Sequence, residues 1–398
     1  MDRRRFVRAG IEGALALAAA RLWAAPAAGG AKFLVVMLRG AYDGASLLVP
    51  YSSEFYYRSR PRIAVPRPGS SDPNAAIRLD ADWGLNAAAK DLHALYTRKQ
   101  AAFVPFCGSS DTSRSHFQAQ DLMEMGQREG GPLDYSSGFL NRLVEALGGG
   151  TGGVAFTNNL TLAFKGAVPV PNVSLRGGAK NPLPQGEGER IAAMYEGTPL
   201  AAVAASGIET RREVSEQMMN EMAESARGAG PARAFETRAR LVGKLMRGKP
   251  AYSIGFVDVG GWDTHVDQGA AQGSLATNLE GLTRGLAAFA DEMGPVWQGT
   301  VVVVMSEFGR TARENGNRGT DHGHGSTLWV MGGAVGGGRI AGAQVAVDER
   351  NLYQNRDFPV LNDYRSVLAH LFARAYGLDA ARIERVFPGA KAQDYGLV

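Results

Sequence analysis

Residues 251–305 confine the chain to few folds, because two apolar runs, AYSIGFVDVG (251–260) and TVVVVM (300–305), flank one amphipathic segment. Short apolar runs of this kind suit strands buried on both faces, as in a parallel sheet. Between them Leu275, Leu279, Leu282, Leu286, Phe289 and Met293 recur every three or four residues, which lines one face of a helix. Strand, helix, strand is a βαβ unit with a right-handed crossover. Three further runs, AKFLVVMLRG (31–40), AFVPF (102–106) and TLWVMGG (327–333), read as strands, and helices are predicted over 86–99 and 363–375. The pattern predicts a three-layer α/β sandwich: a mostly parallel sheet with helices on both faces and ligands at the carboxyl ends of the strands.

Residues 209–248 differ in character. Their charged composition predicts a helical insertion, two helices broken at Gly228-Ala229-Gly230-Pro231, with Met218, Met219 and Met222 as ordinary core contacts. GGGTGG (148–153) and residues 176–190 read as surface loops. With no internal repeat and no clear linker, residues 28–398 are expected to form one domain with a sizeable core.

The first 27 residues carry their own message. Asp2-Arg3-Arg4-Arg5-Phe6-Val7-Arg8 fits the twin-arginine export pattern, an Ala/Leu-rich stretch follows, and Ala25-Pro26-Ala27 offers small side chains to a signal peptidase. Residues 1–27 are therefore expected to be a signal peptide, with the twin-arginine translocase as partner during export and a periplasmic or extracytoplasmic destination. Glu12 and Arg21 interrupt the apolar stretch, which is too short for a stable membrane span. This leader holds +3 of the formal charge of +4, so a nucleic-acid partner loses its electrostatic basis. The single Cys107 rules out an intramolecular disulfide and is expected to end a buried strand rather than act as a nucleophile.

Only six histidines occur, and His116, His265, His322 and His324 lie in loops that follow predicted strands, whereas His93 and His370 fall inside helices. In VDVGGWDTH (257–265), Gly260 and Gly261 permit a sharp turn after Asp258, and Asp263 with His265 suits zinc or manganese. In DTSRSHFQAQDLMEMG (111–126), Ser115 or Ser113 is placed to cap a helix beginning near Phe117. Ser115 as nucleophile, Arg114 against an anion and His116 beside them form a coherent set, as does the plainer reading of an N-cap serine with a solvated arginine. SEFGRTARENGNRGTDHGHGST (306–327) adds Glu307, Arg310, Asp321, His322 and His324, and LRGAYDG (38–44) adds Arg39 and Asp43.

At these residues the chain resembles the bacterial family of domain of unknown function 1501, through its leader, LRGAYDGASLLVPY, RSHFQAQDLMEMG, DVGGWDTH, MSEFGRTARENGNRGTDHGHG and NDYRSVLAHLF. That family is grouped with the alkaline phosphatase and sulfatase superfamily. The resemblance implies an alkaline phosphatase-like sandwich, one or two divalent metals (Zn, Mn, Mg or Ca), and hydrolysis of a phosphate or sulfate ester through a hydroxyl nucleophile. It implies Ser115 as nucleophile with His116, Arg114 and Arg310 as catalytic partners and anion clamps. The implied metal ligands are Asp43, Asp258, Asp263, His265, Glu307, Asp321, His322 and His324.

The pattern departs at Phe308, which stands where the superfamily's strand-end Asp-His pair would put the histidine, and at Trp262 and Arg39-Gly40. These departures favour one hard cation, or a network in which Arg39, Arg114 and Arg310 pair with Asp43, Asp258 and Glu307. They also motivate the alternative of a binding or assembly protein on the same scaffold, working with a second exported protein.

Overall fold

The computed structural model describes residues 30–128, 130–148, 150–175, 197–198 and 226–398. The leader, the 176–190 loop and the first of the two helices expected within 209–248 lie outside the described residues.

The sheet is built from six main strands, β1 (Lys32–Leu38), β2 (Ala101–Gly108), β3 (Gly153–Phe156), β4 (Ile254–Gly260), β5 (Thr300–Ser306) and β6 (Ser326–Met331). Their order across the sheet is β2-β6-β5-β1-β4-β3. Short strands extend it: Arg339–Ile340 and Asn362–Asp363 both pair with β2, and Gly230–Pro231 pairs with β4. β1 runs parallel to both β4 and β5, and β3 parallel to β4. β6 runs antiparallel to β2 and to β5, so the sheet is mostly rather than wholly parallel.

Strand alternation sorts side chains between two cores. Leu34, Val36 and Leu38 of β1 face one side, and Phe33, Val35 and Met37 face the other. The first core is covered by α1 (Lys90–Thr97), α4 (Phe235–Gly248) and α5 (Ser274–Met293), with α2 (His116–Met125) and α3 (Phe139–Leu147) between them in chain order. The predicted apolar stripe of α5, from Leu275 to Met293, is buried in that core. The second core is covered by α3, α6 (Tyr364–Tyr376) and α7 (Ala380–Val386). Helices thus lie on both faces, which makes the three-layer sandwich.

α4 is the second helix of the 209–248 segment. Its Phe235, Ala239, Val242 and Met246 sit in the first core, so this half of the expected insertion forms part of the outer helical layer. Cys107 lies buried near the end of β2, where burial pushes its thiol far above the ordinary range.

Candidate metal centre

The carboxyl ends of β1, β4 and β5 lie side by side, and each strand delivers a polar residue as it leaves the sheet. β1 gives Arg39-Gly40, β5 gives Glu307, and the turn after β4 carries Asp263 and His265. Gly40 is a strict requirement of this crossing: it holds φ +112°, and a Cβ there would sit 2.7 Å from the Asp263 backbone nitrogen. Its own N–H donates to Glu307 Oε1 at 2.8 Å. α2 starts at His116, and a bridge between Arg310 and His322 folds the 306–324 loop back over the site.

Four residues meet there: His116, Asp263, His265 and His322. His116 Nε2 and His322 Nε2 are 2.9 Å apart, and His265 Nε2 is also 2.9 Å from His322 Nε2. Asp263 reaches all three rings, with Oδ2 3.4 Å from His116 Nε2, and Oδ1 2.9 Å from His265 Nε2 and 3.3 Å from His322 Nε2. Among them His116, Asp263 and His322 form a group whose ligand atoms all lie within 4.8 Å of one another.

Each ring has an acceptor on its far side. His116 Nδ1 faces Glu307 Oε1 at 2.7 Å, His322 Nδ1 faces the Arg114 carbonyl at 3.0 Å, and His265 Nδ1 faces Asp321 Oδ1 at 3.2 Å. An acceptor at Nδ1 places the ring proton there and leaves the Nε2 lone pair pointing inward. Lone pairs that converge at 2.9 Å repel unless a positive species lies between them. Asp263 Oδ2 is buried with no hydrogen-bond partner, the kind of atom a metal ion satisfies. The donor set therefore fits a metal.

Without a metal, a proton performs that task. Burial alone would lower the His116 pKa, but interactions with Asp263 and Glu307 overcome it and raise it to about 9. Burial keeps the His322 imidazole below its usual pKa, helped by nearby Arg310 and His116. Asp263 would be raised by burial, yet the three imidazoles and Arg310 hold it well below the usual carboxylate range. Glu307, also buried, is held at about 2, chiefly by its bond with His116. Phe308 stacks on the His116 ring at a centroid distance of 5.0 Å and lies 5.2 Å from that of His322. The carbon ring found where a ligand was expected is a wall that fixes two imidazoles.

The remaining candidates are placed elsewhere. Asp43 is held by both terminal nitrogens of Arg60, at 2.6 and 3.1 Å, and by Ser46 and Gln268, which removes it from the ligand set. Asp258 accepts from Arg39 Nε at 3.2 Å, and that arginine also binds Glu124 at 2.6 Å, so an ion network occupies this position. Glu307 and Asp321 stand behind histidines rather than among the inward-facing atoms. His324 packs its ring on Tyr353 at 5.0 Å, outside the group.

The expected anion clamps are also committed. Arg310 is buried, bonded to Asp263 and to the carbonyls of Gly40, Ala41, Trp262 and Thr320. Arg114 reaches Asp357 at 2.6 and 2.9 Å. Ser115 is the N-cap residue of α2, but its side chain makes no capping bond. Both nitrogens of its neighbour His116 are directed at Glu307 and the central group, leaving no base for a Ser115 nucleophile there. Sequence reasoning missed Arg60, Gln120 and Glu124. The last two had a signal, because His116, Gln120 and Glu124 recur every four residues and put a polar stripe on one helix face.

Fold and site together define a three-layer α/β protein with an imidazole and carboxylate centre at the carboxyl edge of its sheet. The chain belongs to the family described as "Protein of unknown function (DUF1501)", which it matches over residues 31–387. No curated protein matches the sequence. Among solved structures it is similar to Ps i-CgsB in complex with k-i-k-neocarrahexaose, with 9% identity and a TM-score of 0.39 over 91% of this chain and 75% of that one. It is also similar to a protein in the alkaline phosphatase superfamily from Vibrio parahaemolyticus, with 10% identity and a TM-score of 0.40 over 87% and 67% of the two chains. Among the described residues no helix is long and apolar enough to cross a membrane.

Proposed function

We propose that the protein is an exported, metal-dependent hydrolase of phosphate or sulfate esters built around one divalent ion. One observation carries this reading: the Nε2 atoms of His116 and His322 converge beside the unpartnered Asp263 Oδ2, with an acceptor behind each ring. His116, Asp263 and His322 would hold the ion and His265 stands beside it. Three protein donors leave room for a further ligand, the arrangement that catalytic rather than structural sites keep. An imidazole-rich set suits zinc-like ions better than magnesium or calcium, which prefer oxygen. A bound ion would supply Lewis acidity, polarising the ester oxygen and stabilising charge on the transferred group.

The chain's own residues do the rest. Glu307, Asp321 and the Arg114 carbonyl orient the rings, and Phe308 excludes water from one side of His116. The twin-arginine leader supports export after folding, which allows the ion to be loaded inside the cell. Elemental analysis of protein matured through its native leader should find bound zinc or a similar ion, with ester hydrolysis that His322→Ala abolishes. Protein lacking both metal and hydrolysis would overturn the proposal.

A second reading has its own support, since arginines fill the neighbouring strand-end positions and Ser115 lacks an adjacent base. On that reading the scaffold binds a second exported protein and the metal is structural. Stoichiometric metal without ester hydrolysis, together with a partner recovered from periplasm, would select it.

A further inference from the structure

The stripe on α2 leads from the metal centre to Arg39. Gln120 is fully buried, and its Oε1 accepts from Arg39 Nη1 at 2.9 Å while its Nε2 donates to Glu307 Oε1 at 2.9 Å. An arginine has donors only, so it dictates which end of the amide is oxygen and turns the amide nitrogen toward Glu307. Glu307 Oε1 thereby receives three donors, from Gly40 N, Gln120 Nε2 and His116 Nδ1. Its other oxygen accepts from Ser306 Oγ at 2.9 Å.

We propose that Arg39 is a positioning residue for the metal centre, acting through Gln120 to lock Glu307 in the orientation that holds the proton on His116 Nδ1 and frees Nε2 for the ion. The inference rests on the metal reading above. Arg39 is placed for positioning rather than for a direct role with substrate: it is buried, its Nη1 also donates to Glu124, and its Nε donates to Asp258. The four-residue chain Arg39, Gln120, Glu307, His116 is continuous and buried throughout, so water has little access to substitute for any link. Outer partners of metal-binding histidines have effects of about 10- to 100-fold on metal affinity, which sets the scale expected here.

Two substitutions separate this role from simple structural support. Arg39→Lys keeps a charge for Glu124 and Asp258 but lacks the planar fork that spans to the amide. Gln120→Leu keeps every Arg39 ion pair and removes the amide that joins Arg39 to Glu307. Zinc affinity is read on the full mature chain by competition with a chromophoric chelator, with circular dichroism confirming the folded state. Each variant should bind zinc about 10- to 100-fold more weakly at unchanged stoichiometry, and the double variant should be no weaker than the weaker single, because both act through one amide. Gln120→Leu with wild-type affinity overturns the inference, as does a folded Arg39→Lys that only unfolds more easily, or single effects that multiply in the double. If Arg39→Lys does not fold, Gln120→Leu alone decides. Wild-type protein that takes up no zinc overturns the metal centre and this inference together, whereas zinc binding indifferent to Gln120→Leu overturns this inference alone.

Discussion

Metal uptake should be coupled to the loss of one proton, and the donor set says which one. With a pKa of about 9, His116 is protonated at pH 7, whereas His322 is held below its usual pKa and Asp263 and Glu307 are ionised. Binding an ion at neutral pH therefore displaces the His116 proton, and affinity should rise about tenfold per pH unit until about pH 9. From pH 7 to pH 9 that is roughly 100-fold, or ~2.7 kcal/mol at 1.36 kcal/mol per pKa unit. Titration calorimetry at pH 7 in buffers of differing ionisation enthalpy should report about one proton released per ion. Affinities of cobalt followed from pH 6.5 to 8 should give a log–log slope near one. A flat profile with no proton release would refute the assignment of His116 as the protonated ligand.

The metal-free protein should show the complementary trend. The His116 pKa is raised above its ordinary value of 6.5, so its stabilising effect is full below about pH 6.5 and is lost as pH rises through about 9. The urea-unfolding free energy of apoprotein should therefore fall over that window, by ~3.4 kcal/mol at most, while that of loaded protein changes less.

Four substitutions extend these expectations. Gly40→Ala forces a Cβ to 2.7 Å from the Asp263 nitrogen at φ +112°, and should cost at least ~2 kcal/mol in urea unfolding while weakening metal binding. Arg60→Met strands the fully buried Asp43 carboxylate and should cost ~3–5 kcal/mol, whereas Asp43→Asn should leave metal stoichiometry unchanged, because Asp43 serves Arg60 and not the ion. Phe308→Ala removes the ring stacked on His116 and should cost ~3–5 kcal/mol, with loss of metal affinity visible in competition titrations.

The layers of this fold were legible in the sequence because burial leaves a periodic trace. The α5 stripe from Leu275 to Met293 and the apolar run of β5 each state their environment residue by residue. The antiparallel direction of β6 left no such trace, since TLWVMGG reads alike in either direction. For the site, sequence placed His116, Asp263, His265 and His322 at strand ends, and they do converge. It did not separate Asp43 and Asp258 from the converging group, because a carboxylate that could face a metal and one that faces an arginine look identical in one dimension. The deciding partners, Arg60 and Arg39, lie 17 residues from Asp43 and 219 from Asp258, on other elements. Arg310 misled for the same reason: a strand-end arginine suggests an anion clamp until its donors are seen spent on Asp263 and four carbonyls.

Those arginines also limit how many ions the crevice can take. A buried guanidinium is a permanent cation that needs no loading and cannot lose its proton. Arg60 neutralises Asp43, Arg39 serves Glu124 and Asp258, and Arg310 holds Asp263 Oδ1 and reaches His265 Nε2 at 3.4 Å, which leaves Asp263 Oδ2 and the Nε2 atoms of His116 and His322 as the donors not bonded to an arginine. A second ion would have to displace a buried ion pair and leave an arginine stranded, at several kcal/mol. Fully loaded protein should therefore hold about one divalent ion per chain even in excess zinc. Two tightly held ions per chain would mean that the arginine pairs yield to metal, and the single-centre reading would fall.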